Sequence, residues 1–580
     1  MILERRMAAR GLRAKPSAPL LLAVALLLAC QPAAAPTASD TAQSGPAHTS
    51  KSLVIAIVGD LGPFVLQIQG RAGTSAGELD LAVNQWLVDY DERATARPML
   101  AAELPSRERG TWLVRPDGSM QTIYRLRPGV TWHDGHPFTA QDLVFSWRVF
   151  SDPDLPVSKS VVGLTSAMTA VDDHTIAIEW KTTYPGAGTL AVSDIVPLPR
   201  HLIESAYLAD LEQFQRLPYW TEQFAGVGPY QVAEYNEGSH LILRAYPGFY
   251  KGIAKIDRIE VKFLGGSPAI VASLLAGSID GALPGVVEFD GARTLQQEWE
   301  GAGKRPLIIM QPESWRYVAV QFRDPVVREV FDVRVRRALL HAIDREAISA
   351  ALTDGLGPVS QAPPPPSDPR WDGWGRDVVA QYPYDPRQSE RLLAEAGWRR
   401  GGGGNLTGAS GGPLSLPLWT NTDSETTKTI SIIGDYWNQV GAQVEQTVVP
   451  VALYRDTQYR ASFPAFLYAG ITASDQNFMN RVAPRACPSA ETRWQGQNLG
   501  CYQNAEVQRI IDGFAGALEP AEQRELWRGF IKAVTEDLPV LPMYYRLSAT
   551  VFREGITGVM GQTTPQTRGS WNIAEWDVQK

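Results

Sequence analysis

Residues 124–146 read YRLRPGVTWHDGHPFTAQDLVFS, and this stretch contains the strongest structural signals of the chain. A predicted strand, 122–126, ends in a turn at 127–129, and an Asp-Gly turn then leads to Thr139. Thr139 and Asp142 have the spacing of a helix capping box. The residues after Asp142 recur at the spacing of one apolar helical face: Leu143, Val144, Trp147 and Phe150. The stretch therefore predicts a strand that passes through two turns into a capped helix.

The same alternation of strands and helices continues along the chain. Residues 52–58 read SLVIAIV, which is typical of a buried strand. Helices are predicted after Asp332, over 388–396 and over 526–534. The chain has 580 residues, of which 44% are hydrophobic and 20% charged, so it is long enough for several hydrophobic cores. The pattern predicts an α/β protein.

Four glycines of these segments are predicted to shape the backbone. Gly129, Gly135, Gly228 and Gly248 suit turns with positive φ or places where two backbones approach closely. Trp132 is predicted to pack in a core rather than to stack on a ligand.

The N-terminus has the pattern of an export signal. A basic segment, 5–15, precedes an apolar run, 20–28, which is too short for a bilayer core of about 30 Å. Leu27-Leu28-Ala29-Cys30 resembles the bacterial lipobox, in which the cysteine becomes the lipid-modified first residue. We therefore predict a lipoprotein signal peptide at 1–29, lipidation of Cys30 and a flexible tether at 30–51. The alternative is a plain signal peptide with a chance cysteine.

Charge and cysteine content exclude some classes of protein. The formal net charge of −8 argues against binding nucleic acid by bulk electrostatics. Three cysteines are too few for a disulfide scaffold and badly spaced for a tetrahedral zinc site. After export, Cys487 and Cys501 remain, in a compartment where disulfides persist. We predict that they pair, the alternative being two separate buried thiols.

Four ordered blocks of sequence resemble a known family. They are 124–146, then 226–230 with 246–250, then 332–345, and finally 384–397. Together they resemble the extracytoplasmic solute-binding protein family 5, the oligopeptide- and dipeptide-binding components of ABC importers, over nearly the whole mature chain.

This resemblance implies an α/β, two-lobed, periplasmic-binding-protein-like fold with an extra subdomain in lobe one. Lobe one would hold 52–312, including the extra subdomain at roughly 80–200, and lobe two would hold 313–542. Residues 543–580 would return to lobe one, so that two hinge strands, near 312–321 and 542–547, join the lobes. Ligand would sit between the lobes and stabilise their closed state.

The resemblance also implies a function. The chain would be a substrate-binding lipoprotein that captures oligopeptides or dipeptides and delivers them to an ABC permease and its ATPase. It would act as a monomer outside the cytoplasm, anchored in the membrane through Cys30, with no cofactor, nucleic-acid partner or enzyme activity. The alternatives are a non-peptide solute such as an opine, a sugar or a metal chelate, a role in sensing, and a hydrolase, although the usual hydrolase motifs are missing from the sequence.

The ligand-binding residues are assigned through the resemblance. In the family, an Asp that follows a strand of lobe two anchors the peptide amine, and Asp475 in YAGITASD is its counterpart here, without the usual preceding Trp. An extended peptide also needs apolar walls and a cation for its carboxylate. The candidates for these roles are Trp419, Asn421, Trp315, Tyr317, Tyr544, Arg455 and Arg460. The alternatives are a solvated carboxylate, core aromatic residues and surface arginines.

Histidines give no predicted metal site. His133 and His136 are three residues apart but lie in the predicted turn, and His341 lies on a helix among arginines. We therefore predict no bound metal.

Overall fold

The computed structural model describes residues 50–65, 76–93, 95–157, 159, 161–191, 194–366, 368, 371–472, 474–561 and 567–579. The predicted signal peptide, Cys30 and nearly all of the predicted tether lie outside these residues. Within the described part of the chain, no helix has both the length and the apolar character that crossing a bilayer requires.

The strands of the described residues range from two-residue bridges to two strands of 14 and 13 residues. In chain order they are β1 (Ser52–Val58), β2 (Val88–Tyr90), β3 (Ala96–Pro98), β4 (Trp112–Val114), β5 (Met120–Arg125), β6 (Thr165–Asp172), β7 (Thr175–Trp180), β8 (Tyr230–Asn236), β9 (His240–Ala245), β10 (Arg258–Leu264), β11 (Gly281–Val287), β12 (Leu307–Val320), β13 (Arg399–Arg400), β14 (Leu406–Thr407), β15 (Ser415–Thr420), β16 (Gln443–Val448), β17 (Phe466–Thr472), β18 (Val540–Phe552), β19 (Ile556–Thr557) and β20 (Asp577–Val578).

The α-helices of the same residues lie between these strands. In chain order they are α1 (Asp80–Val83), α2 (Ala140–Ser151), α3 (Arg200–Ala209), α4 (Leu211–Gln215), α5 (Ser267–Leu275), α6 (Phe289–Gly301), α7 (Val333–His341), α8 (Arg345–Thr353), α9 (Trp371–Trp374), α10 (Pro386–Glu395), α11 (Ser424–Gln439), α12 (Val451–Arg455), α13 (Thr457–Ala461), α14 (Asp475–Val482), α15 (Ala505–Gly516) and α16 (Pro520–Asp537). Short 3₁₀ turns lie at Ala76–Leu79, Val162–Leu164, Pro185–Gly188, Pro218–Trp220, Arg328–Phe331, Pro484–Ala486 and Ile573–Glu575.

One mixed sheet organises most of this structure. Among the described residues it has ten strands in the order β16-β15-β17-β12-β18-β11-β1-β10-β9-β8. β1 is parallel to β10 and β11, and β15 is parallel to β16 and β17, whereas β18 runs antiparallel to both β11 and β12. A separate antiparallel sheet has the order β4-β5-β7-β6. This architecture confirms the predicted α/β class.

The two long strands, β12 and β18, are shared by both halves of the large sheet. β12 pairs as far as Pro312 with the end of β18, and from Ser314 onward it pairs with the beginning of β18 and with β17. The register shifts at Glu313, which is an extra residue on β12, and shifts again between Trp315 and Tyr317. Because a bulge bends a strand and increases its twist, the bend of this strand pair lies at its centre.

Hydrophobic cores lie on both sides of that bend. Two clusters, which we call the first core group, take their fully buried residues from 53–299 and 549–576. Two others, the second core group, take theirs from 315–545. Both core groups use residues of β18, which therefore stabilises each of them by apolar burial.

Local capping interactions position the helices that the sequence predicts. The side chain of Thr139 and that of Asp142 form the predicted capping box at the start of α2. Asp332 caps α7 by accepting a hydrogen bond from the backbone N–H of Arg334 at 2.8 Å. Both caps satisfy N–H groups that have no partner inside their helix.

The predicted glycine roles divide into two kinds. Gly129 and Gly135 have φ of +75° and +88°, in the left-handed region. Gly228 instead serves a close approach, because a Cβ there would lie 2.4 Å from the carbonyl carbon of Val83. Trp132 is fully buried, as predicted.

Candidate functional site

A cavity of about 80 Å³ lies beside the bulge at Glu313. Residues of the segment 285–290 line it from the β11–α6 connection, and residues 352–353 line it from the end of α8. The remaining walls come from the start of α11, within 423–428, and from β18, within 544–548. Residues 285–290 belong to the region of the first core group, whereas 352–353 and 423–428 belong to that of the second, and β18 contributes to both. The cavity therefore lies where the two core groups meet.

The end of β15 and the start of α11 form a rigid corner of this cavity. Asp423 caps α11 by accepting hydrogen bonds from the backbone N–H groups of Glu425 and Thr426 at 3.0 and 3.3 Å. Asn421 fixes the same turn, because its Oδ1 accepts from the N–H of Asp423 at 3.1 Å and from the hydroxyl of Thr426 at 2.7 Å. These bonds hold Glu425 in the first helical turn, where the helix dipole favours a negative charge.

Two residues that line the cavity, Glu425 and Tyr544, belong to a polar network that extends into the protein interior. Arg316 donates to Oε2 of Glu425, and Tyr544 donates to Oε1 of the same carboxylate. Tyr468 donates to that Oε1 at 3.0 Å, and its hydroxyl lies 3.2 Å from the hydroxyl of Tyr544. Thr429 completes the network with its hydroxyl 3.3 Å from that of Tyr544. Glu425 therefore has three donors, one of them charged, as a buried carboxylate requires.

Burial and charge fix the protonation of this network. Burial raises the pKa of Tyr468 and of Tyr544 above the ordinary value, and the negative charge of Glu425 adds to the effect. Burial has the largest single effect and lowers the pKa of Arg316, but Glu425, together with Tyr468, Tyr544 and Asp423, raises the pKa above its usual range. At neutral pH the arginine stays charged and both phenols remain hydrogen-bond donors.

Acidic side chains outnumber basic ones around the cavity. Five carboxylates contribute to its lining, among them Glu288 and Asp290 from the first segment, whereas the cations are Lys428 and Arg546. Arg546 is already engaged, since its Nη2 lies 3.2 Å from Oε2 of Glu313 and each side chain is about one-third exposed. The cavity therefore has a negative potential that attracts cationic groups of a solute.

Aromatic residues pack on the opposite face of the same strands. Alternation along β12 directs Trp315 and Tyr317 away from the face that carries Arg316. The rings of Trp315 and Tyr317 stack at 5.2 Å, and both side chains are buried. Trp419 is half-buried and stacks on Tyr459 with centroids 5.3 Å apart. Trp315 and Tyr317 belong to the second core group in this structure, and Trp419 packs against it.

The other predicted ligand-binding residues lie at several places around the bulge. Tyr544 lines the cavity, whereas Asn421 fixes the turn that precedes α11. Asp475 is the half-buried first residue of α14, three residues beyond Thr472, which is the register partner of Ser314 next to the bulge.

The two predicted carboxylate clamps differ in their surroundings. Arg455 is exposed at the end of α12, and the guanidinium of Arg460 lies 5.6 Å from the ring centroid of Tyr454. For all eight candidates, ligand binding remains a prediction.

The sequence did not predict the carboxylates that line the cavity, or Arg316 as the partner of one of them. One signal was present, because Arg316 interrupts the apolar run WRYVAV of β12, and a buried arginine needs a carboxylate partner. Its partner, Glu425, is 109 residues away, so the sequence pattern alone does not identify it.

A disulfide closes the loop between α14 and α15. Cys487 and Cys501 are joined in the structure, with their Cα atoms 4.8 Å apart. Nη2 of Arg323 lies 3.2 and 3.1 Å from the two sulfur atoms, and its guanidinium lies 5.1 Å from the ring centroid of Trp494. The end of β12 and this loop are thereby held together.

One group of possible metal ligands occurs among the described residues. Asp134, His136 and His201 each offer a ligand atom within 4.8 Å of the others, and none of the three lines the cavity.

The sequence is similar to one protein family and to several of its characterised members. The model described as bacterial extracellular solute-binding proteins, family 5 Middle, matches residues 95–484. The oligopeptide-binding protein AppA of Bacillus subtilis is 22% identical over 575 residues, which cover 97% of this chain and 98% of AppA. The heme-binding protein A of Haemophilus influenzae is 24% identical over 495 residues, which cover 81% of this chain and 83% of that protein.

Solved structures share the fold. AppA of Bacillus subtilis in complex with a nonapeptide has a TM-score of 0.69 at 20% identity, over 92% of this chain and all of that one. NikA from Brucella suis in complex with Fe(III)-EDTA has a TM-score of 0.73 at 18% identity, over 91% of this chain and all of that one. These likenesses confirm the predicted fold, that of two-lobed solute-binding proteins.

Proposed function

This chain belongs to the bacterial extracellular solute-binding proteins of family 5, and on that premise we propose that it captures peptides between two lobes and delivers them to the permease of an ABC importer. Its relatives are substrate-binding transport proteins rather than enzymes, and the name of AppA states oligopeptide binding. The observation that carries the proposal is the cavity beside Glu313, because segments from both core groups line it.

We propose that the two lobes move relative to each other about the long strands β12 and β18. In this proposal, 52–312 and 543–580 form lobe one, and 313–542 form lobe two. The two register shifts in the β12–β18 pair supply a bend between them. A ligand that touches both walls of the cavity binds the closed state more tightly than the open one and shifts the population towards it. The closed form is then what the permease and its ATPase recognise.

A peptide suits the charges near the bend. Its terminal ammonium is a cation, and the negative lining of the cavity favours such a group. We assign the anchoring of this amine to Asp475, which begins α14 just after β17, the strand that pairs with β12 next to Glu313. Arg455 and Arg460 are the proposed partners of the peptide carboxylate.

Five further residues complete the proposed binding surface through walls and hydrogen bonds. They are Trp419, Asn421, Trp315, Tyr317 and Tyr544, of which Tyr544 lines the cavity.

A metal chelate or heme is the second candidate, because one relative is named a heme-binding protein and one similar structure holds Fe(III)-EDTA. An anionic chelate of this kind would meet the carboxylates of the cavity, and like charges that are brought together at a binding site cost several kcal/mol. The charge around the cavity therefore favours a peptide over an anionic chelate.

We also propose where the protein works. Cleavage after residue 29 and lipidation of Cys30 would anchor it to the membrane outside the cytoplasm, with 30–51 as the tether. In a Gram-negative cell this is the periplasmic side. The protein would work there as a monomer.

Native mass spectrometry of the full chain, purified in mild detergent without refolding, tests the ligand class. We expect adducts of a few hundred daltons that fragment into amino-acid ladders. Adducts that fragment as sugars or chelates would refute the peptide proposal.

The assignment of Asp475 has its own test in calorimetry. We expect Asp475→Asn to weaken binding of a peptide with a free amine at least tenfold, since it removes a charge-assisted contact, and to leave an N-acetylated peptide unaffected. Asp512→Asn, at an exposed position of α15, is the matched control. Equal affinities of the Asp475 and Asp512 variants for the free-amine peptide would contradict the assignment.

A further inference from the structure

Asp134, His136 and His201 form a compact cluster that the proposed transport function does not use. Nε2 of His201 lies 2.6 Å from Oδ2 of Asp134, and Nδ1 of His136 lies 3.4 Å from Oδ1 of the same carboxylate. The two imidazole rings stack with centroids 4.2 Å apart and an interplanar angle of 22°. One carboxylate thus faces two imidazoles from two distant segments of the chain.

The turn that carries two of these residues is held by its own hydrogen bonds. The N–H of Gly135 donates to the carbonyl of Trp132 at 2.8 Å, and the N–H of Trp132 donates to the carbonyl of His136 at 2.8 Å. The N–H of His136 also donates to Oδ1 of Asp134 at 3.0 Å. With φ of +88° at Gly135, the turn adopts a backbone conformation that favours glycine. The positions of Asp134 and His136 are therefore set before any ligand binds.

His201 is presented by the first turn of α3. The preceding residue, Arg200, donates its N–H to Oδ1 of Asp142 in α2 at 3.0 Å, which ties the start of α3 to that helix. The ring of His201 lies 6.4 Å from that of Trp132, which is fully buried. Both backbone segments are thus fixed, and only side-chain rotations are needed to adjust the cluster.

We propose that Asp134, His136 and His201 bind a divalent transition-metal ion of the class of Zn²⁺, Co²⁺, Ni²⁺ and Cu²⁺. Two imidazoles with one carboxylate suit these ions, whereas Mg²⁺ and Ca²⁺ prefer oxygen ligands. Metal–ligand bonds of about 2.0–2.2 Å at tetrahedral angles separate ligand atoms by roughly 3.4 Å. The His136–Asp134 separation already has this value.

The His201–Asp134 distance is that of a hydrogen bond. It opens by less than about 1 Å when the metal ion replaces the proton that the two groups share. The side chain of His136 is 61% exposed, so solvent reaches the cluster and water supplies the remaining ligand.

A substitution of His136 distinguishes a metal site from a purely structural role of the cluster. Without an ion, Asp134 and His201 form a hydrogen-bonded pair that fixes α3 to the turn, and this pair does not need the His136 ring. A metal site does need it, because two ligands alone bind such an ion weakly. His136 also contributes its backbone N–H and carbonyl to the turn, and His136→Ala leaves both in place.

The test is calorimetric titration of Zn²⁺ into the full chain, purified in detergent without a polyhistidine tag, with Co²⁺ absorption as a second readout. His240→Ala is the matched control, because the His240 ring lies 3.3 Å from a carboxylate oxygen of Glu234 but has no second imidazole in its group. We expect one equivalent of Zn²⁺ and a tetrahedral Co²⁺ spectrum for the wild type and for His240→Ala. Affinity should fall at least tenfold in His136→Ala, which should keep the wild-type circular dichroism.

Either of two results would overturn the proposal. One is the absence of stoichiometric Zn²⁺ binding by the wild type, and the other is wild-type affinity in His136→Ala. The proposal does not depend on the identity of the transported solute, since no residue of the cluster lines the cavity.

Discussion

Replacement of Glu425 by glutamine would leave the charge of Arg316 buried without its counter-ion. The amide keeps the size of the side chain, and its oxygen still accepts hydrogen bonds from Tyr468 and Tyr544. Its NH2 group replaces the oxygen that accepts from Arg316, so the change removes the charge and that hydrogen bond together. The side chain of Arg316 is only 9% exposed and that of Glu425 is 21% exposed. Removal of one partner of a buried ion pair costs about 3–5 kcal/mol, and the partial exposure of Glu425 places this pair near the lower end of that range.

Urea unfolding followed by tryptophan fluorescence measures this cost as a loss of free energy of unfolding of about 3 kcal/mol. Arg316→Met and the double variant with Glu425→Gln complete a double-mutant cycle. We expect the double variant to be more stable than Glu425→Gln alone, because it no longer buries an unpaired charge. Glu506→Gln is the control, since its pair with Arg509 is exposed to solvent and therefore stabilises the fold little. A loss below about 1 kcal/mol for Glu425→Gln, or strict additivity in the cycle, would refute this account of the network.

Two further predictions concern stability elsewhere in the chain. Gly228→Ala should lower the free energy of unfolding by about 3 kcal/mol, because the new Cβ meets the backbone of Val83. Gly163→Ala is the control: its Cβ would have no heavy atom within 4 Å, so the free energy of unfolding should change by less than about 0.5 kcal/mol. Thermal unfolding compares the two variants, and equal melting temperatures would contradict the steric argument. Burial raises the pKa of Asp89 from 3.8 to about 7, so the folded state binds this proton more tightly than the unfolded state does. The protonated carboxyl therefore contributes stability to the fold that is fully present below pH 4 and is lost as the pH rises through 7. As the pH rises from 4 to 8, the free energy of unfolding of Asp89→Asn, measured with urea, should therefore increase by about 3–5 kcal/mol relative to that of the wild type. A difference in free energy of unfolding between the two proteins that does not change with pH would contradict this.

Elements with local signals could be predicted from the sequence. The capping box at Thr139 begins α2 as predicted, because both of its partners lie within one helical turn. The helix predicted over 388–396 is α10, Pro386–Glu395; it begins two residues earlier because Asp385 caps it by accepting from the N–H of Gln388. Short-range hydrogen bonds thus determine where these helices begin.

The two long strands β12 and β18 were predicted too short. The family resemblance implied strands near 312–321 and 542–547, whereas the structure has β12 over Leu307–Val320 and β18 over Val540–Phe552. The additional residues pair with each other, Leu307 with Phe552 and Ile308 with Val551, and such pairing over more than 200 residues leaves no local pattern.

The candidate site was harder to predict than the fold for the same reason. The network depends on Glu425, which lies 109 residues from Arg316 and 119 from Tyr544. His201 lies 67 residues from Asp134. Tyr544 was identified because it lies on a predicted hinge strand, while the carboxylates of the cavity come from the bulge of β12, from loops and from helix starts, with no shared motif.

The long separation along the chain between β18 and its partner strands has a consequence for the order of synthesis. Its neighbours, β11 and β12, are made more than 200 residues earlier and both pair with it. Until residues 540–552 have left the ribosome, those two strands have unsatisfied edges and neither core group has its complete sheet. A nascent chain that stops before Val540 would thus expose two strand edges at once, which favours chaperone binding or aggregation over folding. Completion of both core groups must therefore wait for residues 540–552.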